Sequence, residues 1–415
     1  MLRTLASVTP LLFGVAILLT GQGLQGTLLP VRANLEGFST LSIGLMGGAY
    51  FLGFTLGCLR GSGLVERVGH IRVFAAMTAM ASAVPLLHGL WVETWLWWVL
   101  RFVTGWCFAV LYVVIESWLN EQSSNETRGA VFSAYTLITL TVLAVGQQML
   151  LLYDPQQMYL FAIASAIVSL AAIPVVLSVA PTPRPAEEKV PLNLRRLFRI
   201  SPAGTLGCLA SGFANGPFWA LAPVFVAGYS SDVSLAAWFM TSAVLGGAVG
   251  QWPLGLWSDR IDRRWVIGVA AAFGLVVGLV ISLTFKSLPP LALMLLGAAW
   301  GGFAFPLYAV SVAHTNDHAS PGEYVMISSG LLLMYGIGAI VGPFAASLAM
   351  QQIGPGGLFL FSASVHTLLL GYMVLRLARR GAAPEEEHGK FVDALAATQT
   401  ASHVYEEEIA SEEQA

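Results

Sequence analysis

Charge is what this sequence has least of. Only 10% of its 415 residues are Asp, Glu, Lys or Arg, where a soluble globular domain carries about 25%. With 56% hydrophobic residues, it has more apolar surface than a water-soluble body can hide, because roughly a quarter of the area an unfolded 300-residue chain exposes stays exposed after folding. Cysteine is scarce too. Cys58, Cys107 and Cys208 all lie in apolar runs, which excludes a disulfide scaffold and leaves them as small buried hydrophobes. No phosphate-cradling glycine loop, catalytic triad or metalloprotease pattern occurs, so an ATP-driven pump and an enzyme are both unexpected. His and Met are too thinly spread for a copper route, and no metal or cofactor is expected. No nucleic-acid partner is expected either. The composition is that of an integral membrane protein whose main partner is the lipid bilayer.

A helix needs about 20 apolar residues to cross the hydrocarbon core. Twelve segments qualify: 7–31, 38–60, 71–92, 95–117, 129–152, 157–180, 203–228, 233–257, 264–285, 288–314, 323–350 and 355–377. They are long and continuously apolar, unlike the ten-residue alternating segments of a β-barrel. Sixteen basic residues cluster at one set of ends, among them Arg60, Arg67, Arg72, Arg260, Arg263 and Arg264. Arg32 and Lys286 are left at the other set, and Arg101 lies within a span. This asymmetry places both termini in the cytoplasm. The first apolar run has no small-x-small cleavage site, so it is read as an uncleaved first span.

A Pro-rich, then basic segment, 181–202, divides six spans from six. At a constant offset of 193 residues, Pro30-Val31 matches Pro223-Val224, Leu52-Gly53 and Gly57 match Leu245-Gly246 and Gly250, and Glu66-Arg67 matches Asp259-Arg260. The fold expected is therefore all-α, with two six-helix bundles, 1–180 and 203–380, joined by a cytoplasmic linker. Residues 381–415 hold nine acids and one base, Lys390, and read as a solvated cytoplasmic tail without fixed structure. The glycine pairs Gly53/Gly57, Gly246/Gly250 and Gly338/Gly342 read as sites of tight helix packing.

An ionisable residue in hydrocarbon costs about 2.5–3.5 kcal/mol at mid-helix, so each one needs a reason. Arg101, Gly105, Phe108, Tyr112 and Glu116 fall on one helical stripe of the fourth span. The two charges are about 22 Å apart along the axis and cannot pair directly. If the stripe lines a cavity, Arg101 suits an anionic group and Glu116 a mobile proton; otherwise they are a structural hub and a helix-end cap.

At the turns after the second and eighth spans the sequence resembles a known family. Gly255-Leu-Trp-Ser-Asp259-Arg260-Ile-Asp262-Arg263-Arg264 is similar to the Gly-x-x-x-Asp-Arg-x-Gly-Arg-Arg signature of the major facilitator superfamily, with Asp262 where Gly is usual. The first copy, Ser62-Gly-Leu-Val-Glu66-Arg67-Val-Gly69-His70-Ile-Arg72, is degenerate. Arg101-Phe-Val-Thr-Gly105 resembles the Arg-x-x-x-Gly motif of the fourth span. Val113-Val-Ile-Glu116-Ser117, Gly250-Gln251-Trp252-Pro253 and Gly342-Pro343 resemble the YcaD-like branch of bacterial transporters in that superfamily. The fifth span reads Leu143-Ala-Val-Gly146-Gln147-Gln148-Met149, without the Gly-x-x-x-Gly-Pro of drug/proton antiporters.

The resemblance implies a monomeric secondary transporter in the bacterial inner membrane that moves a small molecule by alternating access, with a proton as coupling ion. It implies that spans one, four, seven and ten line the cavity. The expected substrate residues are then Gln22, Gln25, Arg101, Phe108, Tyr112, Asn215, Trp219, Trp300 and Tyr308, a set suited to an amphipathic or aromatic solute. Glu66, Arg67 and Arg72, with Asp259, Arg260, Arg263 and Arg264, are expected to form a cytoplasmic gate in which Asp259 pairs with Arg263 four residues on. A transporter-like fold acting as sensor or assembly factor is the alternative.

Overall fold

The computed structural model describes residues 2–123, 125–177, 193–320 and 323–379. The acidic tail and most of the 181–202 linker lie outside the described residues. Among the described residues, twelve helices are long and apolar enough to cross a membrane: Thr9–Leu35, Thr40–Val68, His70–Leu90, Thr94–Glu121, Val131–Leu152, Tyr159–Val176, Pro202–Ala227, Val233–Ser258, Arg263–Ser287, Pro290–Asn316, Met326–Ile353 and Gly357–Ala378. They coincide with the twelve apolar runs of the sequence and are numbered here as the first to twelfth spans. Two differences have physical causes. The second span runs on to Val68 through Arg60 and Arg67, because a helix that leaves the hydrocarbon keeps its backbone hydrogen bonds without needing apolar side chains. The tenth span is two helices, Pro290–Ala304 and Pro306–Asn316, broken at Phe305. Pro306 has no N–H to donate into the preceding turn.

Local chemistry sets the ends. Ser39, Asp232 and Asp262 accept hydrogen bonds from Ser42, Ser234 and Arg264 backbone amides at the starts of the second, eighth and ninth spans. Each side chain satisfies a donor that the helix itself cannot. Ser201 does the same for the seventh span, with Pro202 at its first position. A short helix, Leu194–Ile200, capped by Asn193, leads into that span.

Within each set of six, the same pairs of spans pack: first with fifth, second with fourth and third with sixth, then seventh with eleventh, eighth with tenth and ninth with twelfth. Glycine makes this possible. A Cβ on Gly53 or Gly105 would run into the Phe102 or Tyr50 carbonyl, and one on Gly246 or Gly250 into the Ala298 or Gly302 carbonyl. The second and fourth spans, and the eighth and tenth, therefore touch backbone to backbone.

The two sixes meet along the second and eleventh spans and along the fifth and eighth, the two seams that an axis of two-fold pseudosymmetry would exchange. Gly44 lies against Pro343 and Ser347, Gly47 against Ala220 and Gly48 against Ile340. At the other seam Gln148 donates to Thr241 Oγ1 at 2.7 Å, and Thr241 donates to Gln147 at 3.1 Å. All of these lie on the half of the bundle away from the acid-Arg turns. The halves are pressed together at the end opposite those turns.

Candidate substrate chamber

The fourth span carries Arg101, and Gly105 one turn on determines what Arg101 meets. Because Gly105 has no side chain, the second span can approach until the Tyr50 backbone fills that space. The Tyr50 ring then lies beneath the guanidinium, with Arg101 Cζ 4.3 Å from its centroid. This is a cation–π contact, and it gives the Arg-x-x-x-Gly spacing a structural reason. Gln22 of the first span donates its amide to the Tyr50 hydroxyl at 2.9 Å, and Tyr112 donates to Gln22 Oε1 at 3.1 Å. Phe54 lies edge-on to Tyr112 at 5.9 Å. Three of the expected residues, Gln22, Arg101 and Tyr112, are thus brought together through Tyr50. Arg101 Nε finds no hydrogen-bond partner among the described residues.

The other expected residues are dispersed around this group. Glu116 is buried, 1% exposed, and accepts a long hydrogen bond from Tyr135 of the fifth span at 3.5 Å. Phe108 is sealed in the core of the first six spans. Gln25 is buried, donates to its own helix at Gly21 and leaves Oε1 unpartnered among the described residues. In the second half, Trp300 stacks on Phe218 at 4.7 Å and donates to Ser362 Oγ at 3.2 Å, deep in an aromatic core. Trp219 stacks face to face on Phe305 at 5.4 Å, at the break in the tenth span. Asn215 is buried with Oδ1 likewise unpartnered among the described residues. Tyr308 meets Tyr335 edge-on at 5.0 Å.

Across the halves, Gly336 of the eleventh span, next to Tyr335, lies against Thr55 of the second. Arg101, Tyr308 and Tyr335 lie within their spans, yet each keeps part of its surface open. Side chains in that condition line an internal chamber. Its walls are aromatic and hydroxylated, with Arg101 as the basic group on them and Glu116 buried behind, against Tyr135.

At the acid-Arg turns the two repeats differ. In the second, Asp259 and Arg263 pair at 3.5 Å, as their spacing predicts. The stronger partner is one the sequence did not suggest: Asp317, after the tenth span, accepts from Arg263 Nε at 2.7 Å, with both side chains almost wholly buried. Ser258 Oγ accepts a further bond from Arg263 at 2.9 Å. Asp262 pairs with Arg264 at 2.6 Å. Burial pushes the Asp262 carboxyl up, but the Arg264 side-chain and backbone donors outweigh it and hold the group below the ordinary carboxylate range. In the first repeat Gly69 occupies the equivalent position, at a φ of +91° that favours glycine. Asp262 instead has φ −51° and caps the helix, so the unusual Asp suits a turn of different shape. His70, equivalent to Arg263, bonds Ser117 Oγ at 3.0 Å. Arg67, Arg72 and Arg260 are exposed, and Glu66 is half-buried.

Tyr50, Tyr135, Tyr335 and Asp317 are the functional-site candidates that motif reading passes over. Tyr50 and Tyr335 had a usable signal, since they lie well inside their spans, away from the interface where tyrosine ordinarily gathers.

A family model described as Major Facilitator Superfamily matches the chain twice, over residues 11–231 and 204–405. The chain belongs to the major facilitator superfamily. The double match follows the internal repeat, and the superfamily is one of membrane transporters, not enzymes. The chain is 30% identical over 376 residues to an uncharacterized MFS-type transporter, YcaD, of Escherichia fergusonii, covering 90% of this chain and 96% of the relative. A transporter of Enterobacter sp. (strain 638), also uncharacterized, is 29% identical over the same shares. Among solved structures, a point mutant of the nucleoside transporter NupG superposes with a TM-score of 0.77 at 12% identity, covering 89% of this chain and 99% of that one. A bacterial homologue of the human lysosomal transporter Spinster, in an inward-facing and occupied conformation, gives 0.67 at 16% identity over 98% and 97%. A point mutant of the E. coli fucose:proton symporter FucP gives 0.57 at 14% over 90% and 99%. These likenesses carry the fold: twelve transmembrane helices in a multi-pass membrane protein.

Proposed function

We propose that this protein is a secondary active transporter of the bacterial inner membrane that carries a small amphipathic or aromatic solute by alternating access, with a proton as coupling ion. The chamber between the halves carries this reading. It holds the Gln22–Tyr50–Tyr112 chain, Arg101 and Glu116 on one side, and Asn215, Tyr308 and Tyr335 on the other. Buried polar groups on an otherwise apolar wall fix the orientation of a solute whose body the aromatic rings accept. Glu116 is the proton carrier, since desolvation makes a carboxylate responsive to its surroundings. The symporter of the same fold, named as fucose:proton, supports coupling of this kind.

The basic residues put the acid-Arg turns, and both termini, on the cytoplasmic side. Contacts at the opposite end then close the periplasmic face, and the state described is inward-facing. The two bodies of the cycle are residues 1–180 and 203–380, working as a monomer, with 181–202 as their cytoplasmic linker. The two acid-Arg turns close the cytoplasmic face in the other half of the cycle.

Spin labels at Arg67→Cys and Arg260→Cys, in a background with Cys58, Cys107 and Cys208 replaced, test this by double electron–electron resonance in liposomes. Two distance populations whose ratio shifts with pH are expected. A single separation, indifferent to pH, would sink the transport cycle and favour a sensor or assembly role.

A further inference from the structure

The reading above leaves the charge of the solute open, and Arg101 speaks to it. This inference rests on the chamber being the solute site. Arg101 lies half-buried in the fourth span; its Nε has no hydrogen-bond partner among the described residues, and its guanidinium lies over the face of Tyr50. A ring face draws positive charge but offers no lone pair to the fork of N–H donors that a guanidinium presents. None of the carboxylate pairs formed among the described residues includes Arg101. Glu116, on the same helix, stands fifteen residues away, about 22 Å along the axis. Glu93, near the start of that helix, is exposed to solvent. In hydrocarbon a charge is normally matched by an opposite one, so this one is matched only by whatever enters the chamber.

The hydroxyl chain beside it has a direction that fits. Tyr112 donates to Gln22, and Gln22 donates to Tyr50, so the Tyr50 phenol keeps its own proton for an outside acceptor. A fixed guanidinium with a phenol donor alongside matches a carboxylate, which can accept two parallel hydrogen bonds from an arginine. Phe54 and Tyr112 nearby, with Tyr308 and Tyr335 across the interface, form the apolar remainder.

We propose that Arg101 is the anion-binding end of the chamber and that the transported solute is an organic carboxylate with an aromatic or apolar body. Amines and quaternary ammonium compounds are repelled from the same position. This sets the protein apart from carriers that extrude cationic drugs, in agreement with its fifth span.

The test uses the full-length protein in detergent at neutral pH, with three probes of one shape: 2-naphthoate, the neutral 2-naphthamide and the cationic 2-naphthylmethylamine. Binding is read from saturable thermal stabilisation and tryptophan quenching. Naphthoate is expected to bind at least about tenfold tighter than naphthamide, with the amine weakest. Arg101→Gln should level acid and amide, and Arg101→Lys should keep the order. Equal or better binding of the amide or amine, a preference that survives Arg101→Gln, or no binding of any probe overturns the assignment. The acid-to-amide ratio in the unmutated protein decides the matter even if Arg101→Gln fails to fold. Spin-label exchange that persists without a naphthoate preference removes the anion and leaves the transporter.

Discussion

Removing Asp317 is the sharpest way to test what holds the acid-Arg end of the second half together. The Arg263 Nε–Asp317 Oδ2 distance is 2.7 Å, with side-chain exposures of 1% and 2%. Two unit charges at that distance attract by roughly 6 kcal/mol at an effective dielectric constant of 20, gross of desolvation. Asp317→Ala deletes the attraction but leaves the guanidinium buried, and stranding one member of such a pair costs about 3–5 kcal/mol. Two contacts soften the loss: Ser258 Oγ at 2.9 Å and Asp259 at 3.5 Å both remain on Arg263. The lower end, about 3 kcal/mol, is therefore expected.

At about 2–4 °C per kcal/mol for a body of 150–250 residues, the size of one six-span half, that is a fall of roughly 6–12 °C in melting temperature. A tryptophan-fluorescence melt of the purified protein reads it. The double variant Arg263→Met/Asp317→Leu removes both charges, and because the pair itself repays its own desolvation only in part, it should melt closer to the parent than the single variant does. If Asp317→Ala melts with the parent, or the double variant is worse than the single, the reasoning from buried charge fails.

Four further outcomes can be checked with the same preparation. His70→Ala, at the uncharged counterpart of Arg263, should cost only about 1 kcal/mol, the net value of one neutral hydrogen bond, and a melt as damaged as that of Asp317→Ala would refute the contrast. Gly246→Val should abolish a monodisperse peak in size-exclusion chromatography, because its branch point meets the Ala298 backbone, which cannot yield as a flexible side chain can. Asp262 has a depressed folded pKa, so its contribution is complete above the unfolded carboxyl value of about 4 and is lost as pH falls through the lower folded value. Asp262→Asn should therefore flatten the acid limb of melting temperature against pH while leaving the neutral limb parallel, and an unchanged limb counts against the pairing with Arg264. Thr241→Val strands Gln147 and Gln148 at the fifth–eighth seam, at about 1–3 kcal/mol. The spin-label populations should move towards the state closed at the acid-Arg turns, by roughly tenfold per 1.4 kcal/mol; no movement would show that the seam does not set the balance.

The twelve spans were legible because the bilayer tolerates few alternatives. A backbone in hydrocarbon must satisfy itself, and a continuous apolar run of the right length has one solution. Scarcity made Arg101 and Gln22 stand out for the same reason. Tyr50 was hidden because its importance comes from Gly105, 55 residues away, which lets two backbones close until ring and guanidinium meet. Asp317 was hidden because it lies 54 residues from Arg263 in a connecting turn, and local spacing offered Asp259 as a sufficient partner. The tenth span read as one run because apolar continuity carries straight across Pro306. Hydrophobicity reports where a helix can lie, but a lost backbone hydrogen bond leaves no mark on it.

That break gives the second half a mechanical part that the first half lacks at the matching place. Pro306–Asn316 is an eleven-residue rod with a hinge at one end and an anchor at the other. The hinge is Phe305, clasped between the Trp219 and Trp300 rings. The anchor is Asp317, held by Arg263 of the neighbouring span. Tyr308 rides near the hinge, facing the chamber. In the transport cycle proposed above, a solute displacing Tyr308 would act on the short arm of a lever whose far end is bonded to the ninth span. The path from Tyr308 to the second acid-Arg turn thus runs through packed and bonded groups of the second half alone.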